Sequence, residues 1–133
     1  MANEINIQAT VTYLRYSPAL QCSGAMDVSQ AGSSNKAALS CVQNIGTTAE
    51  ALGLGDVNTG PTTSEGLFYL FVKNLGPTNF VELSTDNFTK IFAKLRVNEF
   101  CLLPVSQTYN QAAVMYARAN TAAVDVFIAA VSP

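Results

Sequence analysis

The feature that most limits what this chain can fold into is the shortness of its apolar segments. Between Leu67 and Val105 they are interrupted at Gly76-Pro77, Thr85-Asp86-Asn87 and Val97-Asn98. These turn-forming residues recur too closely to leave room for helices of ordinary length. Leu67–Asn74, Asn79–Ser84, Phe88–Arg96 and Glu99–Val105 therefore read as four strands, and their short connections predict an antiparallel meander. Leu67–Asn74 is apolar on both faces, as expected of a central strand. In the third segment Phe88, Lys90, Phe92 and Lys94 alternate with Thr89, Ile91, Ala93 and Leu95.

The rest of the chain follows the same period. In residues 5–16, Ile5, Ile7, Ala9, Val11 and Tyr13 alternate with Asn6, Gln8, Thr10 and Thr12, the pattern of a half-buried strand. Ser17-Pro18 ends it. Leu20, Cys22, Met26 and Val28 predict a weaker strand with an interruption, such as a bulge, at Gly24. Ser29–Lys36 and Asn58–Gly66 are loops by composition, and 37–46 is a strand ending at Gly46. Thr47-Thr48-Ala49-Glu50 fits a helix capping box, and a short strand through Ala51, Leu52 and Leu54 fits equally well. Ser106–Gln111 is a further loop. Ala112, Met115, Tyr116 and Ala119 fit a helical stripe, but Val114, Val124, Val126, Ile128 and Val131 favour strands over 112–119 and 122–131. Asn120-Thr121 would then be their hairpin turn. The expectation is an all-β chain of nine or ten strands, an antiparallel β-sandwich or jelly roll. It forms one domain over residues 1–133, with residues 1–17 a candidate edge or inter-subunit strand.

Composition narrows the chemistry. The chain is 49% hydrophobic and 12% charged, with a net charge of −2 and no histidine. Low charge with high hydrophobicity is the reverse of a disordered composition. A slightly acidic balance argues against nucleic-acid or anionic-membrane partners. Without His, the usual activation of a Ser or Cys nucleophile is missing. Lys36 lies in a loop, and Lys73, Lys90 and Lys94 occupy expected solvent-facing positions. No catalytic, cofactor or metal site is expected. Asp56-Val57-Asn58-Thr59-Gly60 lacks the register and closing Glu of a calcium loop and reads as a polar turn. Cys22, Cys41 and Cys101 form no C-x-x-C pair; free, buried thiols are expected, with one disulfide as the alternative. The first residues lack a basic segment followed by an apolar one, so a reducing cytoplasm is the expected site of synthesis and folding. Leu67–Val72, as long as any apolar run in the chain, is far too short to span a bilayer. Phe68, Tyr69, Phe71, Phe80, Phe88, Phe92 and Phe100 are expected in the core. Asn87-Phe88-Thr89 matches a glycosylation triplet, which has meaning only for a secreted chain.

A charge this scarce fits a neutral, Thr/Asn-rich β surface with no partner, and more sharply it fits surface held within an assembly, since the cores of interfaces are depleted in charge. From Ile45 the order of segments becomes familiar: Ile45–Val57, Leu67–Leu75, Thr78–Leu83, Lys94–Phe100 and Tyr116–Val124. Together they resemble the small virion structural proteins encoded among the morphogenesis genes of tailed bacteriophages. The resemblance covers about two thirds of the chain; it is one of pattern and order, without a catalytic motif. It implies a non-enzymatic part of a virion assembled in the bacterial cytoplasm. The first placement is a capsid cement or decoration protein, a homotrimer bound to the major capsid protein. The alternative is a tail, connector or fibre component. A carbohydrate-binding receptor module is a third reading, and it requires an exposed aromatic shelf.

Overall fold

The computed structural model describes residues 5–13, 20–28, 38–54, 67–106 and 115–131. Among them there are ten strands and no helix: β1 (Ile5–Tyr13), β2 (Leu20–Val28), β3 (Ala38–Ile45), β4 (Glu50–Ala51), β5 (Leu67–Asn74), β6 (Val81–Ser84), β7 (Ile91–Leu95), β8 (Phe100–Ser106), β9 (Tyr116–Ala119) and β10 (Val124–Val131). The chain divides into two compact units, Met1–Ser34 with Pro133, and Asn35–Ser132.

The first unit contains an antiparallel ribbon of β1 and β2. Its register runs unbroken from Ile5 opposite Val28 to Tyr13 opposite Leu20. Gly24 lies opposite Ala9 without a bulge, which corrects the interruption expected there. A glycine within a strand costs only about 0.5–1 kcal/mol, and continuous pairing on both sides of it absorbs that cost.

The second unit has two antiparallel four-stranded sheets, β3-β10-β5-β8 and β4-β9-β6-β7, consistent with a β-sandwich. Each sheet turns one face inward, and alternate residues fill the core: Leu70 and Val72 from β5, Val126 and Ile128 from β10, Val81 and Leu83 from β6, Ala117 and Ala119 from β9. Cys41, Cys101, Ala93 and Leu103 pack against this cluster.

The expected meander is not formed. β5 pairs with β8 and β10, whereas β6 pairs with β7 and β9. The chain therefore leaves one sheet after β5, makes the β6–β7 hairpin in the other, and returns to pair β8 with β5. Asn120-Thr121 likewise connects strands of different sheets, so it is a crossover and not a hairpin turn. Short turns are compatible with either route; the choice is made by the buried Asn74 at the end of β5. Its amide donates to the carbonyls of Asn79 (2.8 Å) and Leu95 (3.0 Å), and its Oδ1 accepts from the Gly76 N–H (2.7 Å). Its backbone N–H donates to the Glu99 carbonyl, and its carbonyl accepts from Asn98. One side chain thus ties both crossovers. Gly76 fits because a Cβ there would stand 2.7 Å from Val124 Cγ1. Asn98, at φ 63°, makes the return turn in the left-handed conformation that Asn tolerates better than most residues.

At the open end of β3, Gln43 closes the gap between the sheets. Its amide donates to the Ala51 carbonyl (3.2 Å) and its Oε1 accepts from the Gly53 N–H (2.9 Å). The segment that fitted either a capping box or a strand is the short strand β4. Glu50 reaches back to accept from the Gly46 N–H at 2.6 Å, one residue before the Thr47 N–H that a capping box would use.

This placement predicts an ordering of stabilities. Leu70→Ala, in the core, should cost about 2–5 kcal/mol, whereas Phe71→Ala, on the opposite side of the same strand, should cost about 1–2 kcal/mol. Chemical denaturation of the two variants checks this; equal losses, or a larger one at Phe71, would show that the faces of β5 are misassigned.

Candidate functional site

The period-two geometry that fills the core leaves a second set of side chains on the outside of each sheet. On β4-β9-β6-β7 the outer set contains an ionic cluster, and β7 also exposes Ile91 and Phe92 (44% and 48%). Register places Glu82 between Lys94 of β7 and Arg118 of β9. Its carboxylate pairs with Lys94 Nζ at 3.3 Å and with Arg118 Nη2 at 2.9 Å. The two cations also cover aromatic rings, Lys94 over Phe80 at 4.2 Å and Arg118 over Phe88 at 4.4 Å. These rings are thereby half-shielded from water by groups that are themselves well solvated.

Beside this cluster, the turn after β6 is fixed by Ser84 and Asp86. The buried Ser84 hydroxyl donates to Asp86 Oδ1 (2.8 Å) and accepts from the Phe88 N–H (2.9 Å), while the Lys90 N–H donates to Asp86 Oδ1 (2.8 Å). Asn87 and Phe88 take positive φ values of 54° and 70°. Phe88 therefore cannot begin a strand, which is why β7 starts at Ile91 and not at Phe88 as the alternation suggested. The Lys90 N–H, then the Ser84 hydroxyl, hold the Asp86 carboxyl below its ordinary value of 3.8.

The outer set of β3-β10-β5-β8 is different. Aligned by register, one row across the sheet reads Val42, Phe127, Lys73, Phe100; the next reads Ser40, Ala129, Phe71, Leu102; and β10, β5 and β8 supply Val131, Tyr69 and Pro104 to a third. Phe71 is the centre of an aromatic group, stacked on Phe100 with ring centroids 5.3 Å apart and edge-on to Phe127 at 6.1 Å. Val42 is 57% exposed, Phe100 61% and Leu102 38%. Lys73, half-buried between Phe127 and Phe100, is the one charged residue in these three rows. The row beyond them ends the patch with Asn44, whose amide donates to Asp125 at 2.7 Å.

The expectation that the aromatics form the core is therefore overturned. Tyr69 and Phe71 are half-buried and Phe100 is exposed on the outer face of the first sheet; Phe80 and Phe88 are half-buried under cations; Phe92 is 48% exposed. The Phe68 side chain lies outside the described residues. The core takes aliphatic residues instead, because the short inward-facing rows of two closely packed sheets are filled by Leu, Ile, Val, Met and Ala. Lys94 is exposed but ion-paired, Lys90 lies in the turn, and Lys36 and the Asp56–Gly60 segment lie outside the described residues. Cys41 and Cys101 are free, burial pushes the Cys101 thiol up, and the Cys22 side chain is outside the described residues. Among the described residues, no group of three His, Cys, Asp or Glu side chains is placed to hold a metal ion, and no helix is long and apolar enough to cross a membrane.

Comparison with protein-family models, with curated proteins and with solved structures finds no match to this chain.

Asp86 supplies a pH test of the loop. Its carboxyl titrates lower when folded than when unfolded, so its contribution is complete above the unfolded value and is lost as pH falls through the lower folded value. The stability difference between wild type and Asp86→Asn should be constant from neutral pH down to about 4 and shrink in more acid solution. A difference unchanged at acid pH would mean that the carboxylate does not hold the turn.

Proposed function

We propose that this protein is a structural subunit of a tailed-bacteriophage particle, specifically a capsid cement or decoration protein, a homotrimer bound to the major capsid protein. The observation that supports this reading is the contrast between the two outer faces of one small sandwich. The β4-β9-β6-β7 sheet carries the Lys94–Glu82–Arg118 cluster beside the exposed Ile91 and Phe92 of β7, whereas the other sheet gathers Val42, Phe71, Phe100, Leu102 and Phe127 with a single charge, Lys73, among them. Apolar surface gathered in one patch of a small domain marks an interaction site, while scattered single hydrophobic residues do not. Aromatic enrichment with depletion of charge is the composition of an interface core. The resemblance of the segments between Ile45 and Val124 to small virion proteins supports reading that interface as part of a phage particle.

A cement protein acts by mass action. Bound to the assembled shell and not to the free capsid subunit, it stabilises the shell by RT ln(1 + [L]/Kd), about 2.7 kcal/mol per site at a hundredfold excess over Kd. No bond is made or broken. The work required of the chain is only to present a rigid apolar face in one geometry, and the two-sheet core holds that face in place. A tail, connector or fibre subunit would use the same face in a ring or a filament. The aromatic group of Phe71, Phe100 and Phe127 also gives the carbohydrate-binding reading its required shelf. The three rows of the face have few polar side chains to orient a sugar, however, so the protein-interface reading is the better supported one.

Mass spectrometry of phage particles released and purified from the cells that carry the gene tests the proposal. The chain should be present in copy numbers comparable to the major capsid protein; a handful of copies would move it to the tail or connector. Absence from particles, together with reproducible binding on a glycan array, would replace the virion reading with the carbohydrate one.

A further inference from the structure

Strand β7 stands at the end of its sheet, whose order is β4-β9-β6-β7. It pairs with β6 on one side. Among the described residues nothing pairs with its other side, so alternate N–H and carbonyl groups there are open. The register slips between Leu83–Ala93 and Ser84–Ile91, which leaves Phe92 without an opposite residue on β6. Ile91, Phe92 and Lys94 are exposed along the strand, and Lys90 and Arg96 are exposed at its two ends. With Arg118 of β9, this side of the sandwich holds four of the chain's seven Lys and Arg residues. The carboxylates among them are turned back onto the fold. Glu82 is shared by Lys94 and Arg118, and its side chain is 13% exposed against their 49% and 38%. Asp86 accepts from the Ser84 hydroxyl and the Lys90 N–H, and Glu99 accepts from the Arg96 N–H at 2.7 Å. Lys90 and Arg96 form no ion pair among the described residues. What meets the solvent beside the open edge is therefore mainly cationic, in a chain whose net charge is −2.

We propose that the open edge of β7 takes an extended, acidic segment of a partner protein as an added strand. Main-chain hydrogen bonds to β7 set the geometry of such a contact, and side chains select the partner. Leu95 is buried, so the period of two turns Lys94 and Arg96 to the same outer side. Carboxylates at alternate positions of the added strand match that spacing, and opposite charges across paired strands attract. Ile91 and Phe92 offer apolar contact at the other end of the edge. Charge decides the occupant. A second β7 does not fit, because pairing two copies of this edge gathers Lys94 and Arg96 of both along one short seam. A neutral strand would strip water from Lys94 with nothing in return; lysine on an edge strand is a guard against pairing of that kind. An acidic strand makes the guard a point of recognition. Nucleic acid is disfavoured, because Glu82 and Asp86 stand among the cations and the chain as a whole is negative.

The test uses the full chain and a fluorescent synthetic peptide of alternating Glu and Val, beside the same peptide with Gln for Glu. Fluorescence anisotropy gives the affinities, and ¹⁵N amide shifts of the protein give the place of binding. The acidic peptide should bind about tenfold more tightly than the Gln peptide, and added salt should reduce the difference. Amide shifts should centre on residues 91–96. Lys90→Gln with Arg96→Gln, two exposed positions outside the core and outside the Glu82 cluster, should weaken the acidic peptide severalfold in a chain that keeps its folded spectrum. Lys73→Gln, on the other sheet, should leave the affinity unchanged. Equal affinity for the two peptides, shifts away from β7, or no binding of the acidic peptide overturns the proposal. Tighter binding of oligo(dT) than of the acidic peptide overturns it in favour of a nucleic acid. Because β7 belongs to the other sheet, failure at this edge leaves the reading of the apolar face untouched.

Discussion

Asn74 holds the sandwich in its topology. A fully buried amide without partners would be costly, so its hydrogen bonds to Asn79, Leu95 and Gly76 allow it to lie where the chain passes between sheets. It fixes the departure after β5 and the return before β8 at one point. Asn79 and Asn120 hold the neighbouring crossover in the same way: the Phe80 N–H donates to Asn120 Oδ1, and the Thr121 hydroxyl donates to Asn79 Oδ1. Once these crossings are set, every strand of the sandwich has one face committed to the core. The other face is free to differ in chemistry without disturbing the fold.

That freedom is used unequally. Glu82 with Lys94 and Arg118 gives one sheet an ionic cluster in which the carboxylate is mostly shielded and the two cations remain in water. Their value is in keeping that side compatible with water and shielding Phe80 and Phe88. Among the described residues, no such screen lies over Phe100 or Val42 of the opposite sheet. A monomer gains nothing by exposing an aromatic stack, whereas an assembling subunit gains an interface with little charge to desolvate. The proposed role in a phage particle starts from this asymmetry.

Much of the strand layout was legible from the sequence, because turn residues such as Gly76-Pro77 and Val97-Asn98 mark boundaries by local physics. β5 was predicted with its observed ends, and Ala38–Ile45 and Val124–Val131 within a few residues. Sheet membership was not legible, since a two-residue turn that returns along its own sheet resembles one that crosses to the other. The difference lies in Asn74, whose partners are distant in sequence. Phe88 was read as strand because its alternation with Lys90 and Phe92 fits the period; the positive φ imposed by the Ser84–Asp86 turn overrides it. Hydrophobicity, with Trp absent and basic residues few, points the aromatics to the core. The missed signal was Leu67–Asn74 itself: in an antiparallel sandwich a strand has one buried face, so a strand apolar on both sides indicates an apolar exterior. Cross-strand alignment of Phe71, Phe100 and Phe127 then needed the register, which no local pattern supplies.

The central claim is that the outer face of β3-β10-β5-β8 is an assembly interface. The most direct test is the solution mass of the full-length chain by light scattering after size exclusion, followed across a dilution series. The account predicts a discrete oligomer several times the 14.1 kDa chain, with a trimer matching the cement placement and a larger ring moving the subunit to the tail or connector. A chain that stays monomeric at every concentration would contradict it.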